Sequence, residues 1–142
     1  INEDKPEGWS IFGNRPDQVH VVDDRPFDGH ACLRVDPAPT GPNVDQVVTL
    51  QPGTTYRLSA ALRRAEAKGG AAVWVNVREG PGKTQTTRLE LPREDTTVDQ
   101  WREVSATFTT PPTIMYSILY ACNSGNAGPV WIDAVRIEKL AP

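Results

Sequence analysis

Two groups of side chains in this sequence have types and spacing that could do chemistry, and both rest on the two-residue alternation of a β-strand. The first is Val130-Trp131-Ile132-Asp133-Ala134-Val135-Arg136-Ile137-Glu138. Unbroken alternation puts Trp131, Asp133, Val135 and Ile137 on one face. Because Trp131, Val135 and Ile137 are large and apolar, that face is expected to point into a core and to carry the Asp133 carboxylate with it. A carboxylate taken out of water needs hydrogen-bond donors, a cation or a metal. Capping of nearby backbone amides, pairing with a basic residue such as Arg34, and metal ligation all stay open at this point.

The second group lies in Ala71-Ala72-Val73-Trp74-Val75-Asn76-Val77-Arg78. Val73, Val75 and Val77 form an apolar row for a core, and Trp74, Asn76 and Arg78 form the opposite row. An aromatic ring flanked by hydrogen-bonding side chains is the composition of a ligand face. Ser59 and Arg63, on the preceding strand, are expected beside this row. Gln46 is expected on a strand of the same sheet, and Tyr120 at the cleft. The plainer alternative is a Trp74 covered by a loop and used as core.

Catalytic constellations are missing. The two histidines and two cysteines lack metal-ligand spacing. There is no Gly-x-Ser-x-Gly elbow, phosphate loop or His-Glu-x-x-His motif. The acidic pairs Asp23-Asp24 and Glu94-Asp95 sit among turn-forming residues and read as solvated, so the chain is expected not to be an enzyme.

The elements that must position these residues are short strands. Thirteen prolines and eleven glycines are spread along 142 residues and punctuate segments rich in Val, Thr, Ile, Leu and Tyr. Strands are expected over residues 9–12, 19–22, 31–35, 44–50, 55–63, 71–78, 86–91, 101–109, 115–121 and 130–138, with turns between them. This spacing predicts an all-β, antiparallel sandwich in one domain. The one helical competitor is Leu62-Arg63-Arg64-Ala65-Glu66-Ala67-Lys68, which ends at Gly69-Gly70.

The net charge is -3 with no basic stripe, so nucleic acid is not an expected partner. No apolar run approaches the ~20 residues that span a bilayer. The chain runs from Ile1 to Pro142 and reads as a segment of a longer polypeptide, with any export signal outside it. Cys32 and Cys122 permit either one disulfide or two buried thiols.

Several stretches in order resemble carbohydrate-binding modules of the family 4, 9 and 22 type. They are Gly8-Trp9, Val19-His20-Val21-Val22, Asp28-Gly29-His30-Ala31-Cys32-Leu33-Arg34-Val35, Leu50-Gln51-Pro52-Gly53-Thr54-Thr55-Tyr56-Arg57-Leu58-Ser59-Ala60, Trp101 to Thr109, and Trp131-Ile132-Asp133-Ala134-Val135. The chain departs from that pattern at its first strand, where Ile1-Asn2-Glu3-Asp4 stands in place of an Asn-x-x-Phe-Glu start, and at Ala134, where a second acidic residue is common. The resemblance implies a galactose-binding-like jelly roll that binds a polysaccharide and does no chemistry. It also implies attachment, in one chain, to a secreted polysaccharide-degrading enzyme, and a monomer working outside the cell.

The resemblance further implies a structural calcium, with Asp133 as ligand and Asp28, Ala31 and Glu3 completing the set. Calcium takes six to eight oxygens, many of them carbonyls, so a single carboxylate can mark such a site. On the ligand side it favours the Trp74 row. A sugar has an apolar C–H face that stacks on an aromatic ring, and a hydroxyl edge that meets groups such as Asn76, Arg78, Arg63, Ser59, Gln46 and Tyr120. A structural or protein-interaction sandwich without glycan binding is the alternative function.

Overall fold

A computed structural model describes residues 9–11, 16–37, 44–82, 86–92, 98–125 and 128–141. Among them ten strands form: β1 (Ser10–Ile11), β2 (Val19–Val22), β3 (Cys32–Val35), β4 (Val44–Val47), β5 (Thr55–Arg64), β6 (Gly70–Arg78), β7 (Thr86–Glu90), β8 (Arg102–Thr109), β9 (Tyr116–Ser124) and β10 (Val130–Lys139). Each corresponds to an expected strand. A single 3-10 turn over Pro16–Gln18, which was not expected, leads into β2.

The strands make two five-stranded sheets, in the orders β1-β4-β9-β6-β7 and β2-β3-β10-β5-β8, with every pairing antiparallel. For brevity they are called the β6 sheet and the β5 sheet. The antiparallel all-β sandwich expected from the strand spacing, and the jelly roll that the resemblance implies, is the fold observed.

Alternation fills the space between the sheets. Leu58, Ala60 and Leu62 of β5 meet Val73, Val75 and Val77 of β6, with Val19, Val35, Val44, Leu119, Ala121, Val130 and Ile132 completing one apolar cluster. Burying a Val or Leu side chain contributes about 1.5–3 kcal/mol, so this inter-sheet layer is the main source of stability.

The connection after β5 is a bend and not a helix. Arg64 Nη1 donates to the carbonyl oxygens of Ala67 and Gly69 at 2.7 and 2.8 Å, which folds residues 65–69 back on the strand end. Gly69 has φ +73°, and a Cβ there would stand 2.5 Å from the Ser124 carbonyl oxygen, so only glycine fits. Strand pairing of residues 62–64 with β10 overrides the helix propensity of this segment.

At the other end of β5, the turn at 51–54 is held by side chains. Thr110 Oγ1 donates to the Gln51 carbonyl at 2.6 Å, and Gln51 N donates to Tyr56 Oη at 2.8 Å.

β10 departs most from simple alternation. Val130 and Ile132 face the inter-sheet core, and further along Val135 and Ile137 pack against the same core. Ile132 and Val135, core-facing positions with two residues between them, require a break in the alternation. It is present as a register shift between Asp133 and Arg136 against β5, with Ala134 in the left-handed region at φ +50°. Trp131 and Asp133 therefore leave the core face, and the single row expected from the sequence is split in two.

Candidate functional site

The outer face of the β6 sheet gathers four of the residues singled out above. Register places Asp45, Tyr120, Trp74 and Glu90 side by side across β4, β9, β6 and β7. The next row is Val47, Ile118, Asn76 and Arg88, and beyond it stand Tyr116, Arg78 and Thr86. At about 4.8 Å per strand the first row spans roughly 14 Å, enough for a short oligosaccharide.

Trp74 and Tyr120 stack with ring centroids 5.3 Å apart and planes 19° from parallel. From β7, on the other side of β6, the Arg88 guanidinium sits 4.6 Å from the Trp74 ring centroid. Trp74 is consequently only 7% exposed, packed with Ala72 and Cys122, although it faces outward from the sheet. Arg88 Nη2 also lies 3.6 Å from Glu90 Oε1, and the Arg88 side chain is 54% exposed.

Asn76 hydrogen-bonds the Tyr120 side chain, while its own Oδ1 is buried without a partner. Burial, then the nearby Asp45 charge, pushes the Tyr120 phenol up from its ordinary value, so it keeps its proton at neutral pH. Arg78 reaches Thr86 Oγ1 at 3.5 Å. The exposed apolar groups at the lower end of this face are Val47, Met115 and Tyr116.

Three expected members of the site lie elsewhere. Gln46 pairs with Leu119 and shares the face of core Val44, so it turns inward and lines an inter-sheet cavity of about 280 Å³ with Leu50, Tyr56 and Ile137. Asp45 and Val47 take the outward positions on that strand. Ser59 and Arg63 belong to β5, which is in the opposite sheet from β6. The expectation that consecutive strands lie side by side fails because the chain crosses between sheets after Arg64.

Arg63 is instead the centre of a second cluster, on the outer face of the β5 sheet. Its guanidinium lies 3.7 Å from the Trp131 ring centroid and 5.5 Å from that of Trp101. Nη1 donates to Asp99 Oδ1 at 2.9 Å and Nη2 to the Asp24 carbonyl at 3.2 Å. Trp101 Nε1 donates to the Arg25 carbonyl at 2.6 Å, and Phe27 packs edge-on against Trp101. The Arg63 side chain is 2% exposed. The segment at 24–28 and the segment at 99–101 are thus folded over β5 and β10 with Arg63 as their common pin.

Asp133 stands beside this cluster. Its Oδ2 accepts from Phe27 N and Asp28 N, both at 3.0 Å, and its Oδ1 accepts from Ala134 N at 2.7 Å. The carboxylate caps the amides of the 27–28 segment and of the bulge. As a calcium ligand set the described residues fit poorly. Three N–H donors face the carboxylate where calcium requires oxygens. The side chain of Asp28 is exposed, and Glu3 lies outside the described residues.

The two cysteines are buried, one on each sheet, with no disulfide between them. Burial first, then the Asp133 and Asp24 charges, pushes the Cys32 thiol up to about 11, against the pull of Arg63.

Arg88, Glu90 and Asp45 are members of the outward face that sequence reasoning passed over. The signal was available for β7. Leu89 and Leu91 alternate as apolar positions after the Gly80-Pro81-Gly82 turn, which makes Arg88 and Glu90 outward neighbours of Trp74 in a hairpin.

Comparison with known proteins matches this architecture. The xylan-binding CBM22-2 domain of Paenibacillus barcinonensis Xyn10C superposes with a TM-score of 0.74 at 16% identity, covering 96% of this chain and 94% of that one. The CBM22-1 and GH10 modules of Clostridium thermocellum xylanase 10B, solved with xylohexaose, give 0.71 at 16% identity, covering 94% of this chain and 26% of that one. At these identities the likeness establishes the fold. Among curated proteins, the chain is 25% identical over 154 aligned positions to the tRNA nuclease WapA of Bacillus subtilis (strain 168). That alignment covers 96% of this chain and 6% of WapA, so the chain spans a small fraction of its relative's length. The family model for the carbohydrate binding domain of families 4 and 9 matches residues 2–126, and the chain belongs to that family of non-catalytic binding domains.

Proposed function

We propose that the outer face of the β6 sheet is where this carbohydrate-binding domain meets a polysaccharide. The observation that carries the reading is the Asp45–Tyr120–Trp74–Glu90 row, in which an aromatic pair lies among hydrogen-bonding groups and beside the unpartnered Asn76 Oδ1. A sugar hydroxyl donating to that oxygen would remove the penalty of a buried orphan acceptor, about 1–3 kcal/mol. Around Arg63 on the opposite outer face, Arg63 Nε and Trp131 Nε1 also lack partners, but the 24–28 and 99–101 segments lie over Arg63, which is 2% exposed, whereas Arg88 beside Trp74 is 54% exposed.

The domain then acts by raising the effective concentration of its attached polypeptide at a glycan surface, outside the cell. In the first reading the attached part is a polysaccharide-degrading enzyme. The WapA likeness favours a second reading, in which the domain serves a long polypeptide whose activity lies elsewhere.

Affinity electrophoresis through gels containing xylan, mixed-linkage glucan or amorphous cellulose tests the face. Tyr116→Ala and Asn76→Ala are expected to weaken retardation on the polymer that retards the parent. Arg57→Ala, exposed on the other sheet, is expected to leave it unchanged. Loss in Arg57→Ala with full retention in the other two would move the site to the β5 sheet. Trp74→Ala is a poor probe, since a stacked and buried indole also holds the fold at a cost of about 3–5 kcal/mol on truncation.

A further inference from the structure

We propose that Arg88 is a displaceable cover over Trp74 that biases the face toward glycans carrying carboxylates. The inference rests on the glycan reading of this face and adds the class of sugar.

Trp74 presents no open ring face. Tyr120 comes from β9 on one side and Arg88 from β7 on the other, at 5.3 and 4.6 Å between centres. A neutral sugar that stacks on Trp74 must first move one of them. Tyr120 is held by its own stacking and by Asn76. Arg88 is held by a cation–π contact at a water-exposed position and by Glu90 at 3.6 Å, beyond hydrogen-bond reach. Arg88 is the weaker cover.

A carboxylate offers a guanidinium two parallel hydrogen bonds with full charge on both partners. Such a group would draw Arg88 off the ring toward itself and open Trp74 to the sugar that carries it. Arg88 is also the direct cross-strand neighbour of Asn76, so the same movement opens the way to the unpartnered Asn76 Oδ1. Arg78 stands on this side of the sheet, while Asp45 stands two strands away from β6 at the β4 side. A uronate therefore approaches over the β6–β7 hairpin, where Arg78 and Arg88 stand, and takes the place of Glu90 as the carboxylate partner of Arg88.

The test uses a glucuronic-acid-substituted xylan and the same polymer after carboxyl reduction, in affinity gels with the parent, Arg88→Ala and Arg88→Lys. The parent is expected to bind the acidic polymer more tightly than the reduced one. Arg88→Ala is expected to lose that preference and to bind the reduced polymer about two- to fivefold more tightly than the parent, the release of an exposed cation–π contact. Arg88→Lys is expected to keep part of the charge preference and lose the bidentate part. Equal binding of both polymers by the parent, or an Arg88→Ala variant that binds the reduced polymer no better than the parent, overturns the proposal. If neither polymer nor any neutral β-glucan retards the parent, the glycan face itself is wrong, and the cover falls with it.

Discussion

The molecule builds the same pair twice. On the β5 sheet Arg63 lies 3.7 Å from the Trp131 ring centroid, and on the β6 sheet Arg88 lies 4.6 Å from that of Trp74. Each pairs a guanidinium with an indole on the outer face of the sandwich, and each arginine has a carboxylate partner. They differ in what lies above them. Arg63 is 2% exposed under two chain segments, with Nη1 fixed on Asp99 and Nη2 on the Asp24 carbonyl, whereas Arg88 is 54% exposed. A cation over an aromatic ring is worth about 0.5–1 kcal/mol in water and about 2 kcal/mol or more when desolvated. The first pair is thus built to stay shut, and the second can open. Residue type does not decide which pair is structural and which is available to a ligand; the cover over the cation does.

The largest effect expected from this contrast is at Arg63. Arg63→Ala removes the pin shared by the 24–28 and 99–101 segments and uncovers Trp131. It should lower stability by roughly 2–4 kcal/mol in urea unfolding. Arg63→Lys should recover little of it, because an ammonium cannot stack and fork at once. A variant as stable as the parent would show that the two segments hold themselves down, and the two pairs would then be alike.

Next in size is Asp133, which serves the same covered corner. Asp133→Ala leaves the amides of Phe27, Asp28 and Ala134 without their acceptor and should cost about 1–3 kcal/mol, most of it through the bulge. If amide capping is its whole role, the loss is the same with and without EDTA. A structural calcium would instead make the parent's melting temperature fall in chelator toward that of the variant, by mass action.

The titration of the covered corner gives a smaller and signed effect. The Cys32 thiol is raised to about 11 in the folded chain, against 9.0 for the unperturbed group. A group raised on folding contributes stability that is fully present below its unfolded value and is lost as pH climbs through the folded one. Stability should therefore decline between about pH 9 and 11, and Cys32→Ala should remove that part of the decline. At the acid end, hydrogen bonds from Arg25 and then Arg63 hold the Asp99 carboxyl below its usual range. Its contribution is present above the unfolded value and fades as pH falls through the lowered one. Because Asp99 is largely exposed, the acid effect should be slight, and Asp99→Asn should flatten it.

Much of the fold could be read from the chain, and the reason is local. Each strand carries its own alternation and each turn its own Gly or Pro, so ten segments declare themselves without knowledge of their neighbours. Trp74, Asn76 and Arg78 were legible as one outward row for the same reason. What was not legible depends on long-range placement. Ser59 and Arg63 looked like neighbours of Trp74 only if β5 and β6 lay in one sheet, and nothing within either strand reports the crossover at residues 65–69. Gln46 does lie on a strand of the same sheet as Trp74, but it shares the parity of core Val44 and so turns away from the outer face. The bulge at Ala134 was hidden because one non-glycine residue at φ +50° breaks the period without a sequence mark, and it moved Trp131 and Asp133 from the core to the outer face. Arg88 was readable in principle but is invisible until β7 is paired with β6.

The smallest expected effect is the sharpest test of the contrast between the two arginines. Arg88→Ala should change unfolding stability by no more than about 1 kcal/mol, since the contact it loses is exposed and its ion partner is screened. A double-mutant cycle with Trp74→Phe should return a coupling of about 0.5 kcal/mol that shrinks in 1 M salt as the Glu90 contact is screened. The matching cycle of Arg63→Ala with Trp131→Phe should give a coupling several times larger and little affected by salt, because both partners are out of water. Equal couplings would mean that the cover over Trp74 is as fixed as the pin over Trp131. A closed, immovable Arg88 would leave Trp74 a packing residue, and the exposed Tyr116 would be the aromatic ring on this face left to meet a sugar.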